Sequence, residues 1–215
     1  MASASTDGRD ADAQSDSPES ERVTAALGAV ATLLALGGIA LAILLDPAFS
    51  WATDALSDLG VRDGSAAAFN WGLIGGGAAG VGYAAGIGRA GRPLQAVLLA
   101  LAMVAMAGVG VFDLTEPLHG PAAIGFYLLI TVLFAVDGWI RRATATGRVA
   151  LAFAPVHVTV WATFVAGWWP VTGLALPELP GTLMLAAWVW VVGPAPVVGA
   201  LRGRAARRDG PTDGH

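Results

Sequence analysis

Six apolar stretches of about twenty residues follow one another along the chain, near 23–45, 67–88, 93–112, 121–140, 149–169 and 182–201. A helix rises ~1.5 Å per residue, so each stretch is long enough to cross a hydrocarbon core of ~30 Å. Lipid offers peptide groups no water, so a spanning segment must pair its N–H and C=O groups within a helix or a closed barrel. A barrel strand would alternate polar and apolar residues, and none of the six does. The expected fold is therefore all-α, a polytopic membrane protein built as a bundle of six transmembrane helices. Pro93 and Pro121 fit this reading, because a first-turn proline gives up an N–H that has no helical partner.

Composition narrows the function classes. Of 215 residues, 55% are hydrophobic and 13% charged, against about 25% charged in soluble domains. A soluble enzyme, a nucleic-acid binder and a disordered chain are excluded on that ground. The absence of cysteine removes disulfides, zinc–thiolate sites and cysteine nucleophiles. Residues 1–21, rich in Ser, Ala and Asp, are expected to form a disordered polar tail, since they carry too little apolar surface to offset ordering. Residues 22–201 form the six-helix domain, and 202–215 a short Arg-rich tail.

Arginine sets the orientation. Eleven of the twelve basic residues, all arginine, fall before the first stretch, between the second and third, between the fourth and fifth, or after the sixth; Arg62 alone falls on the other side. The positive-inside rule then places both termini in the cytoplasm of a multi-pass cell-membrane protein. The outer connections carry Asp46, Asp54, Asp58, Asp63, Asp113, Glu116 and Glu178, with Trp51, Trp71, Trp168 and Trp169 as an interfacial belt. In the first outer loop, about 47–66, Ser50 is placed to cap a short helix that Gly60 ends. Phe49, Ala52, Leu56 and Leu59 would form its apolar face, lying on the membrane surface or over the mouth of the bundle.

Several groups stand out against this background. Gly72, Gly76 and Gly80 form a small-residue row suited to close helix packing, and the same helix is a candidate oligomer contact. Ser57, Asp58, Asn70, Asp113 and His119 gather near the outer ends of the helices, with Glu116 as a weaker member. Ionisable groups at membrane depth point to function, whereas at the interface they serve equally well as helix caps. His157 lies deeper, on an aromatic stripe with Phe153, Trp161, Phe164 and Trp168, and reads first as a packed core residue and second as a relay or ligand. Asp137 and Arg141 are spaced for an i, i+4 ion pair. Pro155, Pro194 and Pro196 are read as lying inside helices and kinking them. A hydrolytic set of Ser57, His119 and Asp113 lacks the G-x-S-x-G elbow.

The runs LSDLG (56–60), FNWGLI (69–74), GVFD (110–113) and LHGPAA (118–123), separated by a Gly-rich helix, resemble the DUF998 family of small multispanning prokaryotic membrane proteins. That family is distantly similar to six-helix membrane proteins of the Frag/DRAM type. The resemblance covers about residues 23–200, implies the six-helix topology, and singles out Ser57, Asp58, Asn70, Asp113 and His119 without giving them an activity. It does not extend to the three-histidine metal set of alkaline ceramidase-like proteins, since only His119 and His157 lie within reach of the bundle.

The functional expectation is an integral membrane protein that binds or transports a small solute, ion or lipid headgroup through a polar extracytoplasmic vestibule. Its partners are the bilayer and a small-molecule or lipid ligand, with no nucleic acid, no cofactor and no metal. The alternatives are a membrane-embedded lipid hydrolase and a structural or assembly protein.

Overall fold

A computed structural model describes residues 18–208. Readings placed on residues 1–17 and 209–215 lie outside the described residues. The helices are α1 (Pro18–Leu45), α2 (Ala66–Arg89), α3 (Pro93–Val111), α4 (His119–Ile140), α5 (Ala145–Val165), α6 (Ala175–Ala187) and α7 (Val197–Arg208). A 3₁₀ turn, Leu56–Gly60, lies between α1 and α2, and a π turn, Trp188–Val192, extends α6. There is no strand among the described residues.

Five segments are long and apolar enough to cross a membrane: α1, α3, α4, α5, and Ala175–Arg202, which overlaps the sixth apolar stretch of the sequence and is named the sixth span after it. Glycines and Asn70 dilute the hydropathy of α2, which packs along its length between α1 and α3. The row of glycines sets that packing. A Cβ on Gly72 would sit 2.8 Å from Gly38 Cα and from the Leu34 carbonyl, and one on Gly76 would sit 2.9 Å from the Ala31 carbonyl. Both face α1. Gly80 instead faces Met103 on α3. The row therefore serves two neighbours within the chain, because 3.6 residues per turn rotate a four-residue repeat slowly around the helix.

The helix boundaries depart from the sequence reading in instructive ways. α1 opens at Pro18 with Glu19 and Glu21 in its first turn, so the stretch read as tail ends in helix: proline suits the first position and acidic residues favour the positive end of the dipole. The sixth span begins at Ala175, seven residues before the expected 182. It is also broken. Pro194 and Pro196 do not kink a continuous helix; they lie in the gap between the π turn and α7. In an unbroken helix the carbonyls of Trp190 and Val192 would accept from residues 194 and 196, and both are prolines without an N–H. Only Pro155 is inside a helix as expected, along with Pro180.

The break is repaired from other elements. Gly193 donates to the Trp188 carbonyl at 2.7 Å, closing the π turn. Arg141 Nη2 donates to the Val192 carbonyl at 2.8 Å and Tyr83 Oη to the Ala195 carbonyl at 2.9 Å. Arg141 is itself held by fully buried Asp137, through Nε at 2.8 Å and a close Nη2 contact. Asp137 also accepts from Trp188 Nε1 at 2.8 Å and Gln95 Nε2 at 3.5 Å. The expected i, i+4 pair is thus present, and it is the centre of a polar knot joining α3, α4 and the sixth span. This arginine-bearing end of the bundle is tightly closed.

Candidate functional site

The opposite, acidic end is built differently. Its first loop is not capped by Ser50. Ser50 instead starts a turn in which its carbonyl accepts from Thr53 and Asp54, while its N–H donates to Asp54 Oδ2 at 2.8 Å. Arg62, the basic residue set apart in the sequence, bridges Asp46 and Asp54, each at 2.9 Å. The Ser50 N–H and this guanidinium hold the Asp54 carboxyl below the usual carboxylate range. The loop is also stitched to the start of the sixth span, since Thr172 and Gly173 donate to the Ala52 carbonyl and Ala175 to that of Asp54, all at 2.9 Å. The 3₁₀ turn that follows pushes Leu56 and Leu59 into the bundle, where both are buried. It sits over the bundle mouth, as one of the two expected placements had it.

Beneath this turn lies a cavity between α1 and α6, walled also by α2, α3 and α4. Its lining is mostly apolar: Ala35, Ile39, Leu73, Met106, Phe126 and Leu185 are typical. It offers about 80 Å³ to the centres of water-sized molecules, several times the ~10–15 Å³ that one water needs. α1 meets the sixth span chiefly through the π turn and α7. In its acidic half the two helices stand apart, with half-buried Thr32 and Leu36 facing half-buried Thr182 and Ala186 across the opening.

Two polar groups lie at the closed end. Glu178, 7% exposed, accepts the Leu56 N–H through Oε2 at 2.8 Å. Its other oxygen has no hydrogen-bond donor among the described residues. Ser57, 8% exposed, lines the same cavity, and its hydroxyl has no hydrogen-bond partner among the described residues. Glu178 was legible only as a loop acid. The missed signal was its place in an apolar run, L-P-E-L-P-G, which opens a helix rather than separating two.

The remaining sequence-selected residues do not join this pair. Asp58 caps its own turn, accepting the Ala55 N–H at 2.7 Å. Asn70 donates to the Gly60 carbonyl at 2.9 Å and keeps a buried, unpartnered Oδ1. Asp113 accepts from the Thr115 hydroxyl at 2.6 Å and N–H at 2.8 Å, which hold its carboxyl below the usual range. Glu116 is exposed. His119 opens α4, and its Nδ1 lies 2.7 Å from the Phe112 carbonyl. It therefore donates to the end of α3, and it does not line the cavity that Ser57 lines. These residues fasten loop to helix; among them Ser57 alone lines the cavity.

His157 is almost fully buried and fully engaged. Thr131 Oγ1 donates to the Tyr127 carbonyl at 2.7 Å and lies 2.7 Å from His157 Nδ1, so Nδ1 must carry the proton. Trp161 Nε1 then donates to Nε2 at 3.1 Å. With both nitrogens committed, the ring has no lone pair free for a metal, and the packed-core reading is the one the geometry gives. A Cβ on Gly181 would lie 2.5 Å from Nε2, so α6 can approach this ring only through glycine. No three His, Asp or Glu side chains converge as a metal set among the described residues.

A family model described as a protein of unknown function (DUF998) matches residues 29–195. No curated protein and no solved structure matches the chain.

Proposed function

The chain belongs to the DUF998 family, and from that premise we propose that it is a six-span protein of the cell membrane that binds a small amphiphilic solute in the cleft between α1 and α6. α2 supplies the one remaining span. Shielded by α1 and α3, it can carry glycines that a lipid-facing helix of this length would not favour. Eleven of the twelve arginines fall on one side of the spans in the sequence, which supports both termini in the cytoplasm and a cavity opening in the outer half of the membrane.

The observation that carries the reading is the composition of the cavity. A mostly apolar space ends on a carboxyl oxygen and a hydroxyl that have no hydrogen-bond partner among the described residues. An ionisable group within a span marks function by default. Catalysis has no comparable support, because Ser57 has no histidine beside it and the deep histidine is fully bonded.

Native mass spectrometry of the gently extracted protein tests this. The wild type is expected to retain a defined adduct that Ala186→Trp, at the half-exposed rim, displaces without unfolding the bundle. Identical adducts on both proteins would refute the binding reading.

A further inference from the structure

We infer that the headgroup this cavity accepts is a hydrogen-bond donor, a primary amine on an alkyl chain being the simplest, and that the chain lies along the cleft between α1 and α6. The inference rests on the binding reading above and adds the class of ligand.

The hydrogen-bonding capacity left in the cavity decides the class of headgroup. Glu178 Oε1 is an acceptor with no donor. The Thr182 hydroxyl already donates to the Leu179 carbonyl at 2.7 Å, and that of Thr32 to the Gly28 carbonyl at 3.0 Å. Tyr127 spends its proton on the Glu178 carbonyl at 3.4 Å. Each of these three presents lone pairs alone, so with Glu178 ionised Ser57 is the one lining side chain among the described residues with a proton to give. No arginine among the described residues lines the space. Arg62, on the same end of the bundle, is locked between Asp46 and Asp54. A phosphate or carboxylate head would face Glu178 with no cation to balance it, which is costly in a desolvated site. An ammonium would instead gain a charge-assisted bond to Oε1, with further lone pairs from Ser57 and Thr182 around it.

The shape selects the chain. From Glu178 to Val189 the cavity wall runs about 16 Å along α6 and into the π turn, roughly half the hydrocarbon thickness of a bilayer. The head is thus placed near one membrane surface and the tail near mid-plane, as one leaflet would deliver them. The ~80 Å³ available suits a head and the first part of a chain. The remainder would lie in the opening toward lipid.

The chain's lack of cysteine makes the test clean. Ser57→Cys introduces a single thiol, whose reaction with methyl methanethiosulfonate is followed by mass, with and without dodecylamine, dodecanol or dodecanoate. Dodecylamine is expected to slow labelling by about tenfold, the worth of one charge-assisted hydrogen bond. Dodecanol should protect less and dodecanoate not at all. Adding Glu178→Gln, which keeps an acceptor for the Leu56 N–H, should abolish the amine's advantage over the alcohol. Equal protection by amine and carboxylate, or an amine effect that survives Glu178→Gln, overturns the headgroup assignment while leaving the cavity reading intact. A thiol at position 57 that never reacts means the cavity is closed, and the binding reading itself falls.

Discussion

Replacing Arg141 by methionine should cost far more than its position near a membrane surface suggests. The guanidinium is only 10% exposed and its partner Asp137 is fully buried. The substitution removes two contacts to Asp137, the 2.8 Å cap on the Val192 carbonyl and a 3.1 Å bond to Thr146. Asp137 would keep only Trp188 and the long contact from Gln95. Breaking a buried ion pair from one side costs about 3–5 kcal/mol. A carbonyl left unpaired in a dry site costs about 1–3 kcal/mol more. Because the terms share one side chain and do not add fully, we expect at least about 4 kcal/mol. Arg62→Met is the control: Arg62 is 31% exposed, and pairs of that kind contribute at most about 1 kcal/mol. Denaturant unfolding in detergent, followed by tryptophan fluorescence, measures both. The double variant Asp137→Leu with Arg141→Met should be less destabilised than Arg141→Met alone, since no buried charge is left unpaired. A cost below about 1 kcal/mol for Arg141→Met, or a double variant that is worse than the single, would refute the reasoning.

Further outcomes follow from the same geometry. Gly76→Leu should separate α1 from α2 and lower the melting temperature, because the added carbons meet the backbone of Ala31 and Ala35; overpacking of this kind costs about 1–3 kcal/mol or more, and an unchanged melting curve would contradict the close approach. His157→Leu should cost about 1–3 kcal/mol by leaving the Trp161 N–H unpaired, with metal content of the purified protein unchanged. The outer loop should loosen in acid. Asp54 has a depressed carboxyl pKa, so its contribution is present above the unfolded value and is lost as pH falls below about 4. Hydrogen exchange across residues 46–65 should therefore be flat from neutral pH down to that point, once corrected for intrinsic rates, and rise beneath it.

The sequence announced the architecture more clearly than the site, for physical reasons. Hydrophobic length alone reveals a spanning helix, and Pro93 or the Gly72–Gly76 spacing reveals how helices start and pack. The break in the sixth span was harder to see. Pro194 and Pro196 mark it, but whether a double proline kinks or interrupts a helix depends on who satisfies the freed carbonyls. Here Arg141 takes the Val192 carbonyl and Tyr83 the neighbouring Ala195 carbonyl, from 51 and 112 residues away. The partners of the site candidates were hidden for a similar reason. Asp58, Asn70, Asp113 and His119 share one end of the bundle, and proximity along the membrane normal looked like convergence. Their partners turn out to be local: a turn N–H, a loop carbonyl, a neighbouring threonine, a helix end. Glu178 was set aside as a loop residue. Its importance arises from a contact with Leu56, 122 residues earlier in the chain, which no local pattern encodes.

The central claim is that α1 and α6 stand apart over a cavity that ends on Glu178 and Ser57. A cryo-electron microscopy map of the protein in lipid nanodiscs tests it most directly. The account predicts elongated non-protein density between α1 and α6, with its polar end within hydrogen-bonding distance of Glu178 Oε1. Direct packing of Ala35 and Ile39 against Leu185 and Val189, with no space between, would contradict it.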